Sequence, residues 1–269
     1  MTDPDGPQHA HGLARLARRW IAKTTECVRR PETRSWVCSP SGVRNRARLA
    51  SLRDRWAGRR CFVVGNGPSL NDQDLSLIGD DLVIGTNRIV LHEAWGQWRS
   101  RMYTCVNPHL IEQTIEQIAG VGCPAFLPWE ARRELPRVHD VYWLRTVHAP
   151  AFSYDLCDRI WQGATVTYVA LQIAFFLGCR EVILIGVDHH YERSGESNRL
   201  AVAEGPDPDH FTPSYFGEGF RWQLPDLAQS EIAYRLARHA FEQEGRRVVN
   251  ATAGGRLEVF PRARYEDLF

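Results

Sequence analysis

Short apolar runs recur between residues 59 and 250 of the chain, and most of them end in glycine or polar residues. Short runs without alternating polar positions indicate strands that are buried on both faces. The pattern predicts strands at residues 61–64, 82–84, 102–106, 125–127, 141–144, 181–187 and 247–250.

Helices are predicted between these strands, at residues 109–118, 165–177 and 226–244. Residues 168–177 are apolar on nearly every side, so the second helix is expected to be buried. Strands alternating with helices indicate an α/β, Rossmann-like fold, with a mostly parallel sheet and helices on both faces. Such sheets bind ligands beyond the carboxyl ends of their strands, so the loops at those ends are the candidate site.

The N-terminal part of the chain differs in composition from the rest. Residues 13–60 contain fourteen Lys or Arg and three Asp or Glu, although the net charge of the whole chain is only +1. We predict a basic extension over residues 1–45, with an amphipathic helix at 12–30 and a linker at 31–45, before a single domain over 46–269. The helix could lie on an anionic membrane surface, dock on a partner, or pack its apolar stripe on the domain.

The cysteines and the hydropathy of the chain indicate in which cellular compartment the protein is expected. The seven cysteines are scattered, odd in number and never spaced C-x-x-C, which argues against a disulfide framework and a zinc ribbon. No apolar run approaches the roughly 20 residues of a membrane span, and no signal peptide is expected. We therefore expect a cytoplasmic protein, with peripheral association at the inner face of the membrane left open. The basic segment carries no motif that reads nucleic acid, so no nucleic-acid partner is expected.

A glycine-rich loop follows the first predicted strand, with the sequence Gly65-Asn66-Gly67-Pro68-Ser69-Leu70. Two glycines let the backbone turn tightly and approach a ligand. Ser69 and Asp72 have the spacing of a capping box, which predicts a helix whose N-terminus could hold a phosphate. The loop is neither a Walker A sequence nor a full dinucleotide fingerprint. A tight turn without a ligand is the alternative.

Polar residues also follow other predicted strands. Asn87 would lie beside Asn66 and could read a base or a ribose with its amide, or it could simply end the strand. Asp188 ends the longest apolar run, where α/β enzymes place functional side chains, and we predict a catalytic role for it. The adjacent His189 and His190 point opposite ways on an extended segment, so no metal site is expected.

His210 follows the Gly-, Pro- and Ser-rich stretch 194–208, which has the composition of a mobile loop. Histidine has a pKa near working pH, so His210 is a candidate general base. A hydrogen-bonded surface histidine is the alternative.

Taken together, these motifs resemble one superfamily. The matching pieces are the glycine-rich loop, Thr86-Asn87, Gly163–Tyr168, the run 177–188, and Asp209-His210-Phe211. The superfamily holds bacterial CMP-sialic-acid-dependent sialyltransferases, flagellin-modifying glycosyltransferases and archaeal 6-hydroxymethylpterin pyrophosphokinase-like proteins. The resemblance covers about residues 58–260.

The sialyltransferase branch implies an inverting, metal-independent transfer of a sialic-acid-like or other keto sugar from CMP to an acceptor hydroxyl, with no cofactor. The resemblance implies His210 as general base and Tyr191 and Tyr215 on the donor phosphate. The acceptor would be a glycan, glycolipid or protein. The residues implied in donor binding are Gly65, Asn66, Gly67, Pro68, Ser69, Asn87 and Thr165.

Two alternatives stay open. The pterin branch implies that the same loop holds ATP, while Asp188, and Asp207 or Asp209, hold Mg²⁺ for pyrophosphoryl transfer. The second alternative is that the chain is a nucleotide-binding module without catalytic activity. The Asp-His-Phe context of His210 and the aromatic stretch 211–222, which suits a sugar face, favour the glycosyltransferase. The sequence leaves the sugar, the acceptor and any homo-oligomer undecided.

Overall fold

Seven parallel strands form the central sheet in the computed structural model of the protein, which describes residues 31–135, 138–193 and 195–269. The strands in chain order are β1 (Arg60–Val64), β2 (Leu82–Thr86), β3 (Arg101–Thr104), β4 (Ala125–Pro128), β5 (Val141–Leu144), β6 (Thr146–Val147), β7 (Ile160–Trp161), β8 (Glu181–Ile185), β9 (Leu200–Val202), β10 (Arg221–Gln223) and β11 (Arg247–Asn250). The central sheet has the order β11-β8-β1-β2-β3-β4-β5, and each neighbouring pair is parallel. All seven predicted strands lie in this sheet.

Two small pairs of strands stand apart from the central sheet. β6 and β7 pair in parallel, and β9 and β10 form an antiparallel hairpin. The α-helices are α1 (Pro31–Cys38), α2 (Pro40–Ala50), α3 (Pro108–Gln113), α4 (Ile115–Ala119), α5 (Val166–Phe176) and α6 (Leu227–Gln243). A boundary between two compact units follows Arg46, and the unit of residues 47–269 contains the sheet.

The side chains of the central strands are buried on both faces of the sheet, as their continuous apolar sequence predicts. On one face, Phe62 and Val64 join a core with Trp95 and Trp98, which lie in the connection between β2 and β3. The other face packs on α5, in which ten of eleven residues are buried. The predicted α/β, Rossmann-like fold and the buried helix are confirmed.

The strand order creates a switch point beside β1. The chain lays β2 to β5 outward on one side of β1 and then returns to place β8 on the other side. The connections at the carboxyl ends of β1 and β8 therefore leave in opposite directions and open a crevice, which is where open α/β sheets bind ligands. The loop that begins at Gly65 and the loop that begins at Gly186 form the two sides of this crevice.

Two expectations about helices are wrong. Residues 31–45 are not a linker, because α1 and α2 occupy them. Pro40 stands at the first helical position of α2, where proline is tolerated because that amide has no helical partner. Residues 109–118 are not one helix, because Thr114 has non-helical backbone angles and separates α3 from α4.

The amphipathic helix predicted for residues 12–30 lies outside the described residues. In the part of the chain that the structure describes, every helix is too short or too polar to cross a membrane.

Candidate functional site

A cleft of about 290 Å³ opens at the carboxyl edge of the sheet. It is lined by the loops after β1, β2 and β8, by the N-termini of α5 and α6, and by the β9–β10 hairpin. Most of the residues that the sequence predicts for the site line this cleft, but Pro68 and Ser69 do not. Those that line it are Gly65, Asn66, Gly67, Asn87, Thr165, Asp188, Tyr191, His210 and Tyr215.

The two glycines of the β1 loop are required by the neighbouring strand. A Cβ atom on Gly67 would lie 1.7 Å from Asp188 Oδ2, and one on Gly65 would lie 2.2 Å from the carbonyl oxygen of Gly186. Both distances are far below van der Waals contact, so a side chain at Gly65 would collide with backbone, and one at Gly67 would displace the Asp188 carboxylate. Close packing of the loop on the end of β8 therefore explains these glycines without reference to a ligand.

Ser69 does not begin the helix that the capping-box spacing predicts. Residues Pro68–Asp72 form only a short 3₁₀ helix, without a side-chain cap. The Ser69 hydroxyl instead donates to Asp188 Oδ2 at 2.7 Å, and its amide donates to Oδ1 at 3.3 Å. Burial raises the pKa of the Asp188 carboxyl, and the bonds from Ser69 offset part of this rise. Asp188 thus ties the β1 loop to β8, and its predicted catalytic role stays a prediction.

Asn66 presents an amide oxygen that lacks a hydrogen bond. Its Nδ2 donates to the Thr86 carbonyl at 3.0 Å and to the Thr86 hydroxyl at 2.9 Å. A carbonyl oxygen only accepts, so this contact fixes the orientation of the amide. The opposite atom, Oδ1, is buried without a partner among the described residues. Buried acceptors without partners are rare and costly, and a donor from a bound ligand would satisfy this one.

Asn87 has the same property on the next strand. Its Oδ1 is also buried without a partner, and its backbone has a positive φ of 51°. The Tyr103 hydroxyl donates to the Asn87 carbonyl at 2.6 Å and holds this conformation in place. Asparagine adopts left-handed backbone more readily than most residues, and such conformations are common at functional sites. The predicted pair, Asn66 and Asn87, therefore lines the cleft, and each residue has a buried amide oxygen without a partner among the described residues.

His210 forms a hydrogen-bonded dyad with Asp207. His210 Nδ1 lies 3.0 and 3.1 Å from the two carboxylate oxygens of Asp207, whose side chain is 1% exposed. Burial alone would raise the pKa of this carboxyl. The hydrogen bond and charge of His210, with the Asp209 amide and Arg193, outweigh that effect and lower the pKa. The carboxylate is therefore ionised and accepts the proton on Nδ1. In the tautomer whose one ring proton is on Nδ1, Nε2 carries a lone pair.

Aromatic rings fix the plane of the His210 imidazole. It stacks on Tyr215 with ring centroids 3.7 Å apart and planes 3° apart, and it meets the Phe216 ring edge-on at 4.9 Å. Burial raises the pKa of Tyr215, whose hydroxyl accepts from the Arg88 amide at 3.3 Å. Tyr215 therefore supports the histidine ring, a role that the sequence does not predict, while its contact with a donor phosphate stays a prediction.

The β1 loop also positions the segment that carries His210. The Phe211 amide donates to the Asn66 carbonyl at 2.9 Å, and Asn71 Nδ2 donates to the Phe211 carbonyl at 2.9 Å. The residue next to the histidine is thus held on both of its backbone polar groups. The glycine-rich loop and the histidine, which lie far apart in sequence, form one connected unit.

The N-terminus of α5 faces the cleft. Thr165 is its N-cap residue, with a side chain that accepts from the Thr167 amide and lies 3.3 Å from the Tyr234 hydroxyl. Backbone N–H groups and the positive end of the helix dipole favour an anion at this place. Tyr191 also borders the cleft, and burial raises the pKa of its hydroxyl, which therefore stays a protonated donor.

Three further residues with polar groups line the cleft. None of them is assigned an individual role in glycosyl transfer from the sequence. Asp209 accepts from the Glu192 amide with one oxygen, while its other oxygen is buried without a partner among the described residues. Trp222 has a buried indole N–H that is likewise without a partner there. Burial lowers the pKa of His189, so that ring is neutral. Its Nε2 lies 3.6 Å from Glu231, too far for a hydrogen bond.

All three carboxylates that the pterin branch implies for Mg²⁺ already have close partners, and Asp209 accepts from the Glu192 amide with one oxygen. Asp188 is bonded to Ser69, and both oxygens of Asp207 face His210. Across the described ranges, no group of three His, Cys, Asp or Glu residues is placed to hold a metal ion.

Comparisons with models of known protein families and with curated proteins give no match to this chain. The resemblance drawn from the sequence motifs therefore stays a prediction, and the cleft geometry is the basis for assigning a function.

We expect Gly67→Ala to lower the free energy of unfolding by about 1–3 kcal/mol, because its Cβ would overlap the Asp188 carboxylate. The measurement is urea unfolding followed by circular dichroism. Gly96→Ala is the matched control, since a Cβ at Gly96 meets no atom within 4 Å, and it should change stability by less than about 0.5 kcal/mol. Equal stability of the two variants would show that the loop does not pack closely on β8.

Proposed function

We propose that the protein is a glycosyltransferase that moves a keto sugar from a CMP-activated donor to an acceptor hydroxyl, with inversion and with His210 as general base. The observation that carries the proposal is the dyad of His210 and buried Asp207, because its histidine lines the same cleft as the glycine-rich loop of β1. A histidine whose Nδ1 is held by a carboxylate has its Nε2 free to accept a proton.

The proposed reaction forms one bond at the anomeric carbon, breaks another there, and moves one proton to His210. The acceptor hydroxyl gives its proton to His210 Nε2, while its oxygen forms a bond to the anomeric carbon of the donor. The bond between that carbon and the phosphate oxygen breaks, and CMP leaves with the electron pair. The imidazolium that forms is stabilised by the Asp207 carboxylate. General-base assistance of this kind contributes roughly a hundred- to ten-thousandfold in rate.

Donor binding would use groups that have spare hydrogen-bonding capacity. The amide oxygens of Asn66 and Asn87 would accept from the base or the ribose of the nucleotide. The N-terminus of α5 and the protonated Tyr191 hydroxyl would offer donors to the phosphate, whose negative charge grows as the bond breaks. These groups act as fixed dipoles and need no reorganisation during the reaction.

The same contacts favour glycosyl transfer over the pyrophosphokinase alternative. A role in holding Mg²⁺ would require Asp207 to give up two short contacts with His210. General-base catalysis uses those contacts as they stand. Phe216 and Trp222 also line the cleft, and aromatic side chains suit the apolar face of a sugar.

We expect His210→Ala to reduce transfer at least a hundredfold and to leave CMP affinity within about twofold, because the ring is assigned to proton transfer. CMP release from a panel of CMP-activated keto sugars measures the first effect, and calorimetry measures the second. His239→Ala, an exposed histidine on α6 outside the cleft, is the control and should behave like the native chain. Loss of CMP binding in His210→Ala would make His210 a binding residue instead.

We expect Asp207→Asn to impair transfer nearly as much as His210→Ala. An asparagine amide can donate to Nδ1 and so favours the tautomer whose Nε2 is protonated and cannot accept a proton. The test is a double-mutant cycle on the transfer rate. The double variant should be no slower than His210→Ala alone, since the two residues act as one unit. Additive losses would show that Asp207 affects the reaction by another route, such as general stability, which thermal unfolding of each variant would reveal.

A further inference from the structure

A second cavity, also of about 290 Å³, adjoins the cleft. It lies between the β6–β7 pair and the first turn of α6. Both cavities include Gln162, Ala164, Asn198 and Asp226 among the residues that line them, so these four residues form a shared wall. A molecule in the second cavity is therefore next to a molecule in the cleft.

The shared wall is held in an uncommon backbone conformation. Ala164 has a φ of 58°, which is disfavoured for a residue with a side chain, and Asn198 has a φ of 64°. A hydrogen bond of 3.1 Å from Asn198 Nδ2 to Asp226 Oδ2 crosses the wall. Asp226 in turn caps α6 through the Gln229 amide, which fixes the position of its carboxylate. Strain retained in this way is common where a fold borders a ligand.

The lining of the second cavity has the chemistry of a carbohydrate site. Side-chain amides, a hydroxyl, a carboxylate and an indole ring face it, from Thr146, Trp161, Gln162, Asn198, Asp226 and Gln229. None of its described lining residues is Lys or Arg, and its basic group is the imidazole of His148, which faces the same cavity as the Asp226 carboxylate. Amides both donate and accept, as sugar hydroxyls do, and an aromatic ring suits the apolar face of a pyranose.

Part of this polar lining has unused bonding capacity. The side-chain amides of Gln162 and Gln229 and the hydroxyl of Thr146 form no hydrogen bond with other described residues. All three are partly exposed and are available to a ligand that enters from solvent.

We infer that the second cavity is the acceptor site, and that it binds a neutral, hydroxyl-rich glycan. This inference rests on the proposed function, which supplies the donor in the adjoining cleft. The acceptor would lie against Gln229 and Thr146 and would extend one hydroxyl across the shared wall into the cleft that His210 borders. Such an arrangement separates recognition of the acceptor from recognition of the nucleotide.

The test uses the full chain with saturating CMP and three defined probes, the methyl glycosides of glucose, galactose and mannose. Saturation-transfer NMR measures whether each probe binds. Gln229→Leu and Thr146→Val each remove polar atoms with little change of volume, and each should weaken the bound glycoside about three- to tenfold. Gln243→Leu makes the same substitution at the exposed far end of α6 and should have no effect. CMP affinity should be unchanged in all three variants.

Each outcome bears on one claim. Glycoside binding that is weakened by Gln229→Leu and Thr146→Val, but not by Gln243→Leu, supports the acceptor site. Absence of binding by all three glycosides, or binding that neither cavity variant weakens, overturns it. Failure of the unaltered chain to bind CMP would instead contradict the proposed function, and it would be visible in the same samples before any glycoside is added.

Discussion

The contact between the β1 loop and the end of β8 is the constraint on which the rest of the site depends. Gly65 and Gly67 approach the Gly186–Asp188 segment so closely that a side chain at either position would force backbone or the Asp188 carboxylate to move. The Asp188 carboxylate then accepts from the hydroxyl and the amide of Ser69, which locks the two loops together. Because β1 and β8 meet at the switch point of the sheet, this contact fixes both sides of the crevice at once.

Other parts of the site are built outward from that contact. The loop backbone at Asn66 accepts from the Phe211 amide, so the segment that holds His210 is attached directly to it. Asp207 and Tyr215 then hold the imidazole by a carboxylate contact at its edge and a ring against its face. A catalytic group needs this kind of support, because small displacements of a base from its proton cost large factors in rate. In the cleft, close packing therefore fixes the position of the β1 loop, while the Asp207 carboxylate and the Tyr215 ring fix the orientation of His210.

The sheet could be predicted from the sequence because its signal is local. Each central strand is a continuous apolar run, and burial on both faces produces that pattern directly. The helix boundaries were less predictable. Pro40 begins α2, although its position between polar residues predicts a linker there. Proline is compatible with a first helical turn, so its presence alone does not decide between the two.

The candidate site was predictable in its residues but less so in their roles. Asn66 and Asn87 each follow a predicted strand, and His210 follows the loop-like stretch 194–208, so these positions are visible in the sequence. The hydrogen-bond partner of Ser69 could not be predicted from the sequence, because the spacing to Asp72 suggests a local cap, whereas Asp188 is 119 residues away. Asp207 stands three residues before His210, a separation that could have suggested the dyad. The stacking of Tyr215 depends on the tertiary path of the loop and has no sequence signal.

The central claim is that the cleft binds a CMP-linked donor without a metal. The most direct test is a calorimetric titration of the full chain with CMP in EDTA, beside a titration with ATP and Mg²⁺. The account predicts that CMP binds in EDTA and that ATP does not bind. Binding of ATP that requires Mg²⁺, without binding of CMP, would contradict it and would favour pyrophosphoryl transfer.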